Sequence, residues 1–423
     1  MKQNGAPKGW RQVKLKEVCR EITVGHVGPM ADEYVEEGVP FLRSQNIQPF
    51  RLELAGLKYI DPEFHARLKK SSISPGDVVV VRTGYPGTAC VVPQGMNPAN
   101  CADLVIVRPS SDLDSWFLAS IFNSAWGRGT VAGKLVGVAH QHFNIGAAKE
   151  MIIHLPPVES QRKIAVALAA YDDLIDNNTR RIRILEEVAQ AIHREWFVHF
   201  RFPGDKKVKL VPSPLGPIPE GWSIKKATEA IAIDPPTKVP RDGEKPFVPM
   251  SSLSNDSMLI IDIESRSGNS GSKFKNNDTL FARITPCLEN GKTAYVQFLP
   301  TAEDVAFGST EFIVMRSITL CPEFVYLLAR LPEFRGNAIK SMSGATGRQR
   351  VQPACFDKFL LVHPDKETIA AFEEQVSPIF RGVQLLARKN AILRTTRDLL
   401  LPKLISGELD VSELDINVRD GVE

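Results

Sequence analysis

Long apolar runs are missing from this chain. No stretch approaches the about 18 residues a membrane-crossing helix needs, and the opening residues MKQNGAPKGW hold no apolar core of a secretory leader. The expectation is a soluble, cytoplasmic protein without membrane contact. Cysteine is scarce. The six at positions 19, 90, 101, 287, 321 and 355 form no C-x-x-C pair and no zinc spacing, so reduced thiols are expected and no metal site. Charge of one sign is missing too. A net charge of +3 excludes a polycation, so any nucleic-acid binding must come from local patches.

Recognisable catalytic motifs are also absent. IDPPT (233–237) imitates the D/N-P-P-Y/F string of amino-methyltransferases, but Thr237 cannot stack on a flipped base as the aromatic residue does. No glycine-rich strand–turn–helix for S-adenosylmethionine accompanies it. GRGTVAGKL (127–135) misses the phosphate-loop spacing, and Leu135 stands where a Ser or Thr would hold magnesium. His140 and His142 form H-x-H without a completing Cys, Asp or Glu nearby.

What the chain does have is itself, twice. Adding 208 carries Gln141 to Gln349, Pro156 to Pro364, Ile184 to Ile392 and Leu185 to Leu393. Upstream the offset drifts: GDVVVVRTG (76–84) matches NDTLFARIT (277–285), and PFLRSQNI (40–47) matches PFVPMSSL (246–253). Gly9-Trp10 is echoed by Gly221-Trp222. A period near half the chain is too long for a solenoid, whose units run about 20–50 residues. It implies two copies of one domain-plus-helix unit with pseudo-two-fold symmetry, which suits a ligand with two places to be read, duplex DNA above all. Short apolar runs bounded by Pro and Gly, such as DVVVV (77–81) and DLVIV (103–107), read as strands around helices such as SWFLASIFNSAWG (115–127), an α+β pattern. The expected layout is a domain over 1–158, a long helix over 159–200, an extended Pro-rich linker over 201–219, a second domain over 220–366, a second long helix over 367–406 and a tail over 407–423.

In the first long helix, Ile164, Leu168, Tyr171, Ile175, Asn178, Ile182, Leu185, Ala189, Ile192 and Trp196 recur in steps of four and three. The second repeats this at Phe372, Val376, Ile379, Val383, Leu386, Asn390, Leu393, Arg397, Leu400 and Leu404, with Pro378 and Gly382 as a place to bend. A 3.5-residue period sustained this long marks a coiled-coil seam; the alternative is two amphipathic helices, each packed on its own domain. Antiparallel pairing that sets Asn178 opposite Asn390 makes partner numbers sum to 568, and then Ile164 meets Leu404, Trp196 meets Phe372 and Arg397 meets Tyr171. The two asparagines are expected to fix register, and Arg397 to make a cation–π contact.

Two variable domains, each introduced by G-W and each ending in a Gly/Gln loop, an apolar strand with Pro and a long helix, resemble the specificity subunit of Type I restriction–modification systems. IHLPPVESQRKIAVAL (153–168), LGPIPEGW (215–222) and LLLPKLISGELDV (399–411) carry the likeness; HPDKETIAAF (363–372) departs from it, lacking the double proline and the Glu-Gln pair. The resemblance implies two target-recognition domains, each reading half of a split double-stranded DNA site, held apart by an antiparallel coiled coil. It implies docking of methyltransferase (modification) subunits, two copies, and of restriction subunits through the complex. It implies no catalytic centre and no cofactor here, with S-adenosylmethionine, ATP and Mg on partner subunits only.

Three loops recur in both halves and are the candidate DNA contacts. LRSQN (42–46) offers Arg43, Gln45 and Asn46 and is matched by VPMSS (248–252) with Ser251 and Ser252. RTGYPGT (82–88) offers Arg82 and Tyr85; its match RITPCLENGKT (283–293) offers Arg283, Asn290 and Lys292. GVAHQH (137–142) offers His140, Gln141 and His142, against Arg348, Gln349 and Arg350 in ATGRQR (345–350). Arg, Asn and Gln are the side chains that read guanine and adenine edges in pairs of hydrogen bonds. Solvated loops or internal contacts are the other reading, and a repeated Asp-to-Arg spacing (77 to 82, 278 to 283) fits an internal contact equally well. Side chains differ between matched loops, which predicts an asymmetric bipartite target. Arg180, Arg181 and Arg183 form a basic cluster in mid-helix, for solvent, a partner or spacer phosphates. The competing functions are a non-catalytic coiled-coil scaffold for two protein-binding modules and an unrecognised DNA methyltransferase.

Overall fold

Four consecutive valines set the architecture of the first domain. Val78–Val81 is an inner strand of an antiparallel sheet ordered Ala89–Val91, Val78–Val81, Leu104–Pro109, Cys19–Val24. Side chains alternate faces along a strand, so an unbroken apolar run needs cover on both. Val78 and Val80 pack in one core with Phe117 and Phe122 of the Ser115–Asn123 helix, and Val79 and Val81 pack in another with Leu42 and Ile73. The second cover is a sheet ordered Tyr34–Val35, Lys58–Ile60, Val39–Leu42, Ala99–Cys101, Ser72–Ile73, whose Val39–Leu42 and Ala99–Cys101 strands run parallel. The computed structural model behind this description covers residues 9–133, 143–345 and 347–418.

The second domain repeats the plan. One sheet is ordered Ile231–Ile233, Phe312–Ser317, Thr279–Ala282, Thr293–Tyr295, and the other Glu264–Ser267, Glu244–Val248, Val305–Gly308, Ser272–Lys275. Leu280 and Phe281 point into different cores, as adjacent strand residues must. The parallel pair returns as Glu244–Val248 beside Val305–Gly308.

Asp77 and Asp278 precede the two central strands and are 1% and 0% exposed. Each carboxylate accepts a backbone N–H three residues back, from Ser74 at 3.0 Å and Lys275 at 2.8 Å. Each also meets an arginine of the neighbouring strand, Arg108 at 3.4 Å and Arg316 at 2.7 Å. The repeated aspartates therefore answer to Arg108 and Arg316, not to the arginines five residues on.

The long helices are Val158–Phe197 and Lys366–Ser406, each roughly 60 Å long at about 1.5 Å per residue. The second passes through Pro378 and Gly382 without a break. Gly382 leaves room for the other helix: a Cβ there would lie 3.6 Å from Leu185 Cδ1. By compactness the chain divides in mid-helix, into Met1–Asp176 with Ala391–Glu423, and Asn177–Asn390. The physical reason is shared cores. In the first unit Ile164, Leu168, Leu401 and Leu404 pack with Phe117 and Leu155; in the second Ile182, Ala189, Trp196, Phe372 and Val383 pack with Trp222 and Phe324. Seam and domain packing, which the sequence poses as alternatives, are one core in each unit.

Within the second unit Asn178 Nδ2 donates to Asn390 Oδ1 at 2.9 Å, and Asn390 Nδ2 donates to Thr179 Oγ1 at 3.2 Å. Trp196 and Phe372 meet with centroids 5.7 Å apart. Arg397 departs from expectation. It ion-pairs with Asp172 and lies 5.8 Å from the Phe50 ring instead of taking Tyr171, because a carboxylate one residue along offers a charge-assisted bond. The Pro-rich segment is not an extended linker either. Leu210–Val211 pairs antiparallel with Ile218–Pro219, and Phe202 stacks on Trp222 at 5.0 Å, so burial of aromatic rings folds it back. No helix among the described residues is long and apolar enough to cross a membrane.

Candidate nucleic-acid interface

In the second unit the three recurring loops are tied into one surface. Lys292 Nζ donates to the Met250 carbonyl at 2.9 Å, joining the second loop to the first. Thr285 N donates to Gln349 O, and Gln349 N returns a bond to Thr285 Oγ1, joining the second to the third. Arg350 closes the set with a bidentate pair to Glu311, at 2.6–3.0 Å. The Arg350 guanidinium holds the Glu311 carboxyl below its usual range. Gly344 and Gly347 take φ of +124° and +79° beside it, a turn that side chains with a Cβ disfavour.

The first unit is built the same way where it is described. Arg82 Nε donates to Phe143 O at 3.0 Å while Phe143 N donates to Arg82 O. The second unit has the counterpart through another guanidinium nitrogen: Val351 N donates to Arg283 O, and Arg283 NH2 to Val351 O at 3.4 Å. Arg82 also pairs with Asp103 at 2.5 Å, its side chain only 13% exposed. The first loop is a 3-10 turn in each unit, Ser44–Asn46 and Met250–Ser252. Asn46 accepts from Arg43 N and donates to Glu53 O; Ser252 Oγ donates to Asp262 O. Both side chains are buried and stitch the turn to the segment after it.

Residues 7–187 match the family model described as Type I restriction modification DNA specificity domain. Over those residues the chain is similar to a Type I DNA specificity domain. Its relatives extend the likeness along the chain. It is 24% identical over 276 residues to the MjaIX specificity subunit of Methanocaldococcus jannaschii, covering 63% of this chain and 62% of that one. It is 20% identical over 408 residues to the HindI specificity subunit of Haemophilus influenzae, covering 80% and 88%. The chain thus spans less than two thirds of the first relative and most of the second. Its fold is that of the crystal structure of the Type I S subunit from M. genitalium, with a TM-score of 0.57 at 13% identity over 96% of this chain and 98% of that one.

The two units hold the candidate residues in two different states. Asn46 and Ser252 are buried and bonded within the fold, which corrects the expectation that they face DNA, and Arg82 and Arg283, half-buried, each give part of the guanidinium to a backbone carbonyl. Arg43 is half-buried, donates to Gly56 O at 2.6 Å and lies over the Tyr34 ring. Lys292 and Arg350 reach the surface but are engaged by Met250 O and Glu311. Gln349 is half-buried, its backbone bonded to Thr285. Gln45, Ser251, Asn290 and Arg348 are exposed, and Tyr85 is 86% exposed on a turn between Gly84 and Gly87. His140, Gln141 and His142 lie outside the described residues. Sequence reasoning missed Asp103 and Glu311, although their common offset of 208 and common acidity were there to be read. The IDPPT string is a strand corner: Asp234 Oδ1 accepts Val314 N at 2.8 Å and Thr237 Oγ1 accepts Arg316 NH2 at 2.9 Å. Among the described residues no group of three His, Cys, Asp or Glu is placed to hold a metal.

Proposed function

We propose that this chain is the DNA-specificity subunit of a Type I restriction–modification complex, each unit reading one half of an asymmetric bipartite site. The observation that carries the reading is a common frame with unlike tips. Both units use the same sheet pair and the same arginine-to-carbonyl stitch, yet expose Gln45 and Tyr85 in one and Ser251, Asn290 and Arg348 in the other. These exposed residues are the proposed contacts; Asn, Gln and Arg read base edges, and Tyr can stack or bond phosphate.

The helices, continuous from one unit into the other, would set the half-site separation, with the Asn178–Asn390 layer fixing their register. Ile392 and Leu399 stand one heptad apart and are 65% and 64% exposed. Such an apolar stripe favours docking of partner subunits, proposed as two methyltransferase copies with restriction subunits joining through the complex. S-adenosylmethionine, ATP and Mg then belong to those partners, the chain itself being non-catalytic. The test is co-expression with the neighbouring methyltransferase subunit and mapping of methylated adenines in host DNA. A split, asymmetric motif that needs both chains is expected. A stable complex that methylates nothing would favour the scaffold reading, and methylation by the chain alone would favour the enzyme.

A further inference from the structure

We infer that Arg266, on the Glu264–Ser267 strand, is a base-reading residue of the second half-site, outside the three loops. This rests on the reading of the chain as a DNA-specificity subunit. The Arg266 guanidinium lies 3.8 Å from the centroid of the Phe247 ring. Its Nε donates to Glu264 Oε2 at 2.7 Å, and NH2 lies 2.6 Å from the same oxygen. The ring fixes the plane of the fork and the carboxylate fixes its rotation, while the side chain stays 49% exposed. A guanidinium neutralised by its own carboxylate is a poor phosphate ligand. A planar fork already oriented is what paired bonds to a guanine edge require.

Its position agrees. The Glu264–Ser267 strand is the edge of its sheet. Beside Arg266 opens a hollow of about 490 Å³ walled by Phe247, Phe307, Met250 and Thr310. Met250 is the residue whose carbonyl receives Lys292, and Thr310 precedes the Glu311 that holds Arg350. The stacked arginine therefore adjoins the loop surface.

The first unit also backs cations with a ring, though on another strand. There Lys58–Ile60 pairs with Val39–Leu42 as Glu264–Ser267 pairs with Glu244–Val248. Lys58 Nζ and Arg43 Cζ lie 5.7 and 5.9 Å from the Tyr34 centroid. Lys58 stands opposite Phe41 as Glu264 stands opposite Phe247, so the two units set their ring-backed cations at different registers of the matching sheet.

The experiment is methylation, by the complex with its methyltransferase subunit, of duplexes randomised through both half-sites. Arg266→Ala is expected to relax one position of the second half-site by roughly ten- to a hundredfold, leaving the first half-site unchanged. Arg266→Lys should not restore it, since an ammonium lacks the fork. Arg266→Gln, which keeps a stem over Phe247, should move the preference there from guanine towards adenine, and it decides the matter should the alanine variant lower the thermal midpoint. An unchanged motif in the alanine and glutamine variants overturns the assignment. So does a uniform loss across sequences with the salt slope reduced by about 1, the mark of a phosphate contact. A wild-type complex without sequence preference would instead sink the specificity-subunit reading itself, before any substitution is compared.

Discussion

His193 is a proton sensor by exclusion. It is 1% exposed in the second unit, ringed by Phe324, Phe197 and Phe372 at centroid distances of 4.8, 5.3 and 6.0 Å. Neither ring nitrogen meets a hydrogen-bond partner among the described residues. Burial first, and the nearby Arg194 charge second, hold the imidazole down to about 3 from an ordinary 6.5. Below 6.5 the unfolded chain takes up a proton that the folded one refuses. The stabilisation is thus complete above 6.5 and is lost as pH falls from there towards 3. At pH 5.5 the loss is about 1.4 kcal/mol, one pK unit's worth. With a urea dependence of about 2–3 kcal/mol per molar, the midpoint should fall by roughly 0.5 M on this account alone. His193→Leu keeps an apolar side chain of similar bulk and removes the titration. The assay is urea unfolding of both proteins at pH 7.5 and 5.5, followed by tryptophan emission, to which Trp196 and Trp222 in the same core contribute. The wild type should lose about 0.5 M more than the variant between the two pH values. Equal acid losses in both would refute the argument, because they would mean His193 is protonated in the folded state or hydrated there.

Four further outcomes are expected. Asn178→Leu or Asn390→Leu alone should cost about 1–3 kcal/mol by removing the bond between the two buried amides, and the double substitution should recover part of it; a coupling near zero in urea midpoints would remove the pair's claim on register. Arg316→Met should cost about 3–5 kcal/mol by stranding the Asp278 carboxylate, 0% exposed, and should lower the thermal midpoint accordingly. Gln161→Leu should cost about 1–3 kcal/mol, since the fully buried amide serves Asp114 N, Asp112 O and Pro156 O at 2.8–2.9 Å; a neutral midpoint would show that water replaces it. Tyr85→Ala should leave stability within about 0.5 kcal/mol while altering methylation only at the first half-site; an effect on the second would contradict the division of labour.

The fold was legible where one physical rule dominates. DVVVV (77–81) announced a strand, and two seams of like period announced paired helices. The helix entry shows why partners were harder to name. At the first helix Gln161 clasps the N-cap residue Asp114 of the neighbouring helix. Add 208 to Gln161 and 207 to Asp114, and Ile369 and Cys321 stand there, both buried. Where one unit has a polar clasp the other has two residues of an apolar core, which a residue-by-residue comparison reads only as lost similarity. The candidate site erred in the opposite direction. Recurrence drew attention to Arg82 with Arg283 and to Asn46 with Ser252, and these are the positions the fold itself employs. A residue kept by both copies serves what the copies share; reading different sequences falls to positions where they differ. Arg266 escaped notice because its ring, Phe247, is distant in sequence and only strand pairing brings them together.

The mid-helix division has a consequence for how the molecule is made. Residues 177–390 are one uninterrupted segment, whereas the other unit needs 391 onward to complete it. On the ribosome, at about 5–20 residues per second, the first domain would wait on the order of ten to forty seconds for the strand of helix that finishes its core. The later-made domain can close first. Meanwhile the core around Ile164 and Leu168 lacks the Leu401 and Leu404 that complete it.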